Sequence, residues 1–351
     1  MNYYNTARAL NSGAWLIVSL GNRSTGKSFA WKKHCVRNFL KNGERFIYLR
    51  RNFNDIELAI PTWFDDISSK FPGWRMEFKK NAFHLIKGKD DEKTDYICGY
   101  GFSLTTVSKL KSIPLSDVTT IFFDEFIPDD LSYLRKDEPF FEPELLLSLY
   151  MTVARGYKKV VRENVKLVCV ANVVTRYSPY FSYFGVKFKG INEWSYNKDT
   201  GVYSEIIFNE QVANEIKASK AGGFIATSRY GQYALGNIAL RDDDYHVLNL
   251  KTFPGLRSMF SVYANGWYVC LDNLEHNQVI FAKQTDKNAK RKYRLTPSYI
   301  DNVNDIPWLP KETAKFVRRM YEIDGLYYDS AETKSNIGGF FERNPISQKG
   351  G

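Results

Sequence analysis

Eight residues, Gly21, Asn22, Arg23, Ser24, Thr25, Gly26, Lys27 and Ser28, follow directly on the apolar run Ala14–Leu20. Their G-x-x-x-x-G-K-[ST] spacing is that of a phosphate-binding loop, and it commits the chain to a buried strand, a tight loop and then a helix. Glycines let backbone N–H groups turn inward around a polyphosphate, and the start of the helix adds a dipole that favours an anion. In such a loop Lys27 reaches the β- and γ-phosphates, and the Ser28 hydroxyl ligates Mg²⁺. The expected ligand is therefore a nucleoside triphosphate with its metal.

A chain of 351 residues has room for two domains around real cores, and 44% hydrophobic residues with 16% aromatics is a globular composition. The net charge of +10 suits a polyanion such as DNA or RNA, although plain solubility would also account for it. Cys35, Cys98, Cys169 and Cys270 stand far apart with no C-x-x-C pair, which argues against a zinc site or a disulfide framework. The first residues, Met1–Thr6, lack the basic-then-apolar pattern of a signal peptide. No apolar run approaches the ~20 residues that span a bilayer. A soluble, intracellular protein with no membrane partner is expected.

Downstream of the loop, Ser28–Leu40 reads as a helix stopped at Asn42 and Gly43, and Arg45–Leu49 as a second strand ending in Arg50 and Arg51. That pair sits where α/β folds place ligands, so phosphate, a neighbouring subunit and a surface ion pair all remain open as partners. Residues 60–100 are less regular, with a hairpin of Met76–Phe78 and Ala82–Ile86 and a further strand over Tyr96–Leu104.

The second strong signal is Val118–Phe123, a continuous apolar run closed by Asp124 and Glu125. Successive strand residues face opposite sides, so the two carboxylates are expected to do different work. Asp124 would hold Mg²⁺, and Glu125 would polarise an attacking water, the Walker B pattern of an ATP-hydrolysing enzyme. A helix follows over Glu142–Tyr157, with Arg155 near its end, and then a strand over Lys166–Val170. Asn172, just past that strand, has an amide suited to the γ-phosphate or the hydrolytic water, or to a simple turn.

Together the loop at 21–28, the strand end Ile121–Ile127, the helix end Thr152–Arg155, and Ala171 and Asn172 followed by Tyr180 and Phe181 resemble the DNA encapsidation ATPases of phi29-like podoviruses. The resemblance is good over residues 14–183 and rests beyond them on length and layout. It implies a homo-oligomeric ring, a pentamer, that sits on the portal of an empty capsid. This ring drives double-stranded DNA inside by ATP hydrolysis, with a structural packaging RNA as a further partner and the host cytoplasm as the setting. It also implies an arginine finger donated in trans, for which Arg155 is the match, and a trans-acting lysine ahead of the Walker B strand, matched by Lys111 or Lys109. Arg23 inside the loop departs from the plainest phosphate-binding loops and is in keeping with packaging motors.

Beyond Tyr196–Gly201, which reads as a surface hairpin, helical stretches over Glu210–Lys220 and Ala226–Leu240 are broken at Ala221–Gly223. From His246 the pattern becomes three short strands, Met259–Tyr263, Trp267–Leu271 and Gln278–Phe281, and then a helix over Lys311–Glu322. This order resembles the RNase H-like nuclease half of large terminases. Two-metal nuclease chemistry needs clustered carboxylates. Here the first strand carries none, and Asp272, Asp301 and Asp305 lie beyond elements. A vestigial nuclease used for binding is expected. Lys283, Lys287, Lys290, Arg291, Lys292 and Arg294, together with Arg318 and Arg319, are its candidates for phosphate contacts.

The expected architecture is α/β. It comprises an ASCE-type P-loop ATPase domain with a parallel-sheet core over 1–204, a helical linker over 205–245, a smaller α+β RNase H-like domain over 246–334 and a mobile tail over 335–351. Two competing readings keep the same site. One is a terminase-like motor whose C-terminal domain still cuts DNA, and the other an ATP-gated scaffold that binds portal or RNA without moving DNA.

Overall fold

The computed structural model describes residues 4–88, 93–107, 115–127, 142–156, 161–173, 178–227, 246–253, 255–264, 266–273, 276–284, 291–295, 303 and 305–341. The chain divides into two units. One takes residues 1–128, 142–174 and 184–238, and the other 129–141, 175–183 and 239–351.

In chain order the elements up to residue 227 begin with α1 (Ala7–Asn11), β1 (Leu16–Gly21), α2 (Lys27–Asn42) and β2 (Arg45–Arg50). Next come α3 (Phe53–Trp63), β3 (Trp74–Lys79), β4 (Ala82–Lys87), β5 (Thr94–Ser103) and β6 (Val118–Asp124). The series closes with α4 (Glu142–Ala154), β7 (Lys166–Asn172), α5 (Pro179–Phe184), β8 (Trp194–Asn197), β9 (Val202–Ile207), α6 (Glu210–Ala218) and α7 (Lys220–Thr227). The strands form one nine-stranded sheet in the order β3-β4-β5-β2-β6-β7-β1-β9-β8. Its centre, from β5 to β9, is parallel, while β3, β4 and β8 run antiparallel at the two margins. Every residue of β1 and of β6 is buried, as the unbroken apolar runs require when helices cover both faces.

Helix α3 has no counterpart among the sequence expectations. Pro61 lies inside it and removes one backbone donor, which blurs the periodic pattern. Its start is secured by the Asn52 N–H, which donates to Asp55 Oδ2 at 3.1 Å. Its last residue, Trp63, is fully buried, stacked on Phe46 with centroids 5.2 Å apart and tilted against Phe83 at 5.1 Å. The core of this unit is aromatic, built on Trp31, Trp63, Phe46, Tyr48, Phe83 and Phe122.

Three expectations need correction. Strand β9 runs through residue 204 and pairs with β1 along its whole length, so the sheet extends past the expected domain end into the expected linker. The glycines at 222 and 223 do not break a helix but lie within α7, and the break falls at Ser219, whose ψ is 153°. A Cβ at Gly222 would stand 1.8 Å from the Ile216 carbonyl oxygen, so glycine is what lets α7 approach the end of α6. The expected tail also begins too early. Residues 335–341 continue α9 (Ala331–Ile337) and a 3₁₀ turn, and Ile337 and Phe341 are core residues of the second unit. The stretch expected as a helix over Ala226–Leu240 lies almost wholly outside the described residues.

The second unit holds a five-stranded sheet of β10 (Arg257–Tyr263), β11 (Trp267–Asn273), β12 (Gln278–Lys283), β13 (Lys292–Arg294) and β14 (Leu326–Tyr328), in the order β13-β10-β11-β12-β14. The first three form the expected antiparallel meander, although Asp272, expected beyond an element, lies on β11 between Arg257 and Val279, and β13 and β14 add in parallel at its two edges. Helix α8 spans Lys311–Glu322 as expected and buries Val317 and Met320. No helix among the described residues is long and apolar enough to cross a membrane. Replacing Trp63 by alanine should cost about 3–5 kcal/mol, seen as a lower urea midpoint for unfolding of the first unit.

Candidate active site

The site forms where β1, β2, β6 and β7 end together, the edge at which parallel sheets receive ligands. Gly21 lies opposite Asn172 on one side and Ile207 on the other. A Cβ at Gly21 would meet the Ile207 carbonyl oxygen at 2.5 Å and Lys27 Nζ at 3.0 Å, so the first loop position admits no side chain. The Asn22 N–H donates to the Ile207 carbonyl at 3.3 Å, and its Oδ1 accepts from the Asn209 N–H at 3.2 Å. Ser24 (φ 64°) and Gly26 (φ 83°) take left-handed conformations that curl the backbone into the start of α2. Arg23 and Ser24 are exposed on the rim of the loop.

Lys27 is buried, and its ammonium donates to the Asn22 carbonyl at 3.1 Å and to Thr25 Oγ1 at 2.9 Å. Burial pulls its pKa down to about 8 against the opposing pull of Asp124 and Glu205. The Ser28 hydroxyl donates to Asp124 Oδ1 at 2.8 Å, and the Tyr48 hydroxyl to Asp124 Oδ2 at 3.4 Å. Burial raises the pKa of Asp124 above the ordinary carboxylate value, while the Arg50 guanidinium and the Ser28 hydroxyl act the other way. A serine hydroxyl and a buried carboxylate side by side are hard oxygen donors of the kind Mg²⁺ takes, so these residues fit the metal that the loop implies.

Asp124 and Glu125 do differ in surroundings, but not by strand alternation. The strand stops at Asp124, and Glu125 turns out of it at φ 55°, a left-handed conformation costly for a residue with a Cβ. The side chain of Asp124 is enclosed and that of Glu125 is 60% exposed. Arg50, at the end of β2, forms an ion pair with Glu125 and lies 3.9 Å from Asp124 Oδ2. Arg51 points elsewhere: it is buried, donates to Glu142 at 3.0 and 3.3 Å and bonds the Phe126 carbonyl. Both arginines are thus engaged inside the chain.

A cavity of about 210 Å³ is lined by Ser24, Thr25, Lys27, Ser28, Asp124, Glu125 and Asn172, among others. Asn172 is the last residue of β7 and not a residue beyond it. A larger cavity of about 580 Å³ shares Thr25 and is bordered by Tyr4, Asn5, Arg8, Glu205 and Asn209. Glu205 was not anticipated. It accepts from Tyr4 at 2.9 Å, Ser19 at 2.7 Å and Tyr203 at 2.8 Å, and the only signal for it is a carboxylate in an otherwise uncharged strand.

With this geometry, residues 1–315 match the podovirus DNA encapsidation protein (Gp16) family. The chain belongs to that family. The DNA packaging protein of Bacillus phage B103 is 34% identical over 281 residues, 79% of this chain and 80% of that protein. Among solved structures, the bacteriophage Phi-29 viral genome packaging motor assembly is similar at a TM-score of 0.61 and 25% identity, over 94% of this chain and 95% of its counterpart. The Phi-28 gp11 DNA packaging motor shares the fold at a TM-score of 0.60 and 17% identity, over 97% and 98% of the two chains.

In this encapsidation protein Arg155 stands one residue beyond the end of α4, exposed and bridged through its backbone to Val161. It does not line the 210 Å³ cavity. Lys109 and Lys111 lie outside the described residues, as do Lys287, Lys290 and Asp301. Of the remaining basic set, Lys292 lies over Trp267 at 5.5 Å and Arg294 over Trp308 at 4.2 Å, with Arg291 just ahead of β13. Lys283 does not join them. It ends β12, which two strands, β10 and β11, separate from β13, and pairs with Glu332 at 3.3 Å.

The lowered pKa of Lys27 has two consequences of known sign. Between pH 8 and the ordinary lysine range the unfolded chain binds more protons than the folded one, so this residue's contribution makes the ligand-free protein more stable as pH rises. Triphosphate binding should move the opposite way, because it needs the ammonium. Affinity titrated at pH 9 should be roughly tenfold weaker than at pH 7, and the trend should vanish in Lys27→Arg.

Proposed function

We propose that this encapsidation protein hydrolyses ATP to drive double-stranded DNA into a preformed capsid, working in the host cytoplasm as a ring, a pentamer, on the portal. The observation that carries the reading is the meeting of Lys27, Ser28, Asp124 and Glu125 at one edge of the sheet, beside a cavity sized for phosphates. Family membership supplies the DNA and the capsid. Lys27 and the backbone of residues 21–28 would bind the phosphates, and the larger cavity beside Thr25 would take the nucleoside. Ser28 and Asp124 would hold Mg²⁺, which when bound neutralises charge on the phosphate oxygens. Glu125 would orient and deprotonate water once released by Arg50, and Asn172 would hydrogen-bond the γ-phosphate or that water.

Arg155 is exposed and does not line its own chain's small cavity, which suits a finger given to the adjacent subunit. Lys111 or Lys109 would act beside it in trans. A structural packaging RNA belongs to the same proposal as a docking partner.

For the second unit we propose an RNase H-like fold that has lost its nuclease and serves binding. Its antiparallel meander, parallel fourth strand and following helix support that reading, as does a first strand without carboxylates. Lys292 over Trp267, Arg294 over Trp308 and Arg291 just ahead of them in the chain would grip nucleic acid.

Glu125→Gln should lower DNA-stimulated ATP turnover by roughly 10²–10⁴-fold while ATP binding persists; unchanged turnover would overturn the hydrolytic reading. In wild type, turnover should rise more steeply than linearly with protein concentration, as a shared site requires. Replacing Arg291 and Lys292 by alanine should weaken DNA binding and flatten its dependence on salt by about one logarithmic unit of slope per lost phosphate contact.

A further inference from the structure

We propose that Arg162 is a positioning residue that fixes the finger Arg155 relative to the Walker B strand, with α4 as the strut between them. This inference rests on the reading of Arg155 as a residue given to a neighbouring site.

The last carbonyls of a helix have no partner within it, and a cation at that end is favoured by the helix dipole. At the end of α4 one nitrogen of the Arg162 guanidinium, Nη2, donates to the Val153 carbonyl at 2.5 Å. The same nitrogen donates to the Val118 carbonyl at 2.9 Å and the Leu115 carbonyl at 3.2 Å, which belong to the start of β6 and the turn before it. The backbone closes the arrangement, with the Arg162 N–H donating to the Ala154 carbonyl at 2.7 Å and Arg155 bridged to Val161. Arg155 therefore leaves the helix from a point held on both sides.

The other end of α4 is tied to the catalytic turn. Its first residue, Glu142, is the ion-pair partner of Arg51, which also donates to the Glu125 carbonyl at 3.4 Å and bonds the carbonyl of Phe126. Helix α4 thus spans β6 from the turn bearing Glu125 back to the strand's first residue, clamped by an arginine at each end. Arg162 itself lines neither the 210 Å³ nor the 580 Å³ cavity, so it has no direct route to the nucleotide of its own subunit. What it holds is the departure point of Arg155.

The test uses full-length rings of mixed subunits. Arg162→Ala alone should lower turnover by roughly 10- to 100-fold, since a displacement of about 1 Å at a reacting group costs on that order, and should leave ATP affinity within about twofold of wild type. Arg162→Lys, which keeps a charged donor near the same carbonyls, should recover most of the loss. Mixed with Lys27→Ala subunits, which carry an intact finger, Arg162→Ala should regain activity; mixed with Arg155→Ala it should not. Equal activity in the two mixtures, or wild-type turnover for Arg162→Ala alone, overturns the proposal. Should the alanine variant fail to fold, Arg162→Gln enters the same comparison. A mixture of Arg155→Ala with Lys27→Ala that regains nothing would instead sink the trans finger itself.

Discussion

Backbone hydrogen bonds between β6, β7 and β1 hold Asp124 opposite Val170 and Gly21 opposite Asn172, and the rest of the site depends on that register. Side chains alternate along a strand, so a slip of one residue in β6 would turn Asp124 to the far face of the sheet. The 2.8 Å bond from Ser28 to Asp124 would then have no acceptor. Unbroken burial of β1 and β6 makes the register costly to change, because any slip also moves large apolar side chains against different neighbours.

The same burial creates the electrostatics of the site. Lys27 and Asp124 are both enclosed, and each shifts toward its neutral form, the lysine downward and the carboxyl upward. Arg50 compensates on the carboxylate side by standing against both Asp124 and Glu125. The backbone at Glu125 is held in its left-handed turn by bonds on either side. The Phe126 N–H donates to the Val170 carbonyl at 3.2 Å, and Arg51 takes the carbonyls that follow the strand. Strain of this kind persists only where surrounding structure over-determines it. Here the result is a carboxylate that stands exposed yet latched by a cation.

Much of this was legible in the residues. Loop spacing located the strand-loop-helix turn that borders the 210 Å³ cavity, and continuous apolar runs located the buried strands. The helix over Lys311–Glu322 was readable to the residue, because its apolar stripe is narrow and Pro310 marks its start. Other features were not legible, for specific reasons. Pro61 hid α3, and Gly222 read as a breaker although it serves a close approach between helices. Six basic residues of one segment read as one patch, but pairing order leaves two strands between Lys283 and the pair Lys292 and Arg294.

By itself the sequence determined the chemistry available: a lysine and a serine in a glycine-bounded loop, two carboxylates at the end of a buried strand, and an amide at the end of another. Those assignments need only local spacing, since a loop cradle and a strand end are set by neighbours along the chain. Tertiary structure alone decided which cations meet which anions. Arg50 and Arg51 are adjacent in sequence, yet one latches Glu125 and the other anchors Glu142. Their partners lie 75 and 91 residues away, brought close by the strand order and by the return of α4 along β6. An ion pair depends on distance through space, and separation along the chain carries almost no information about it.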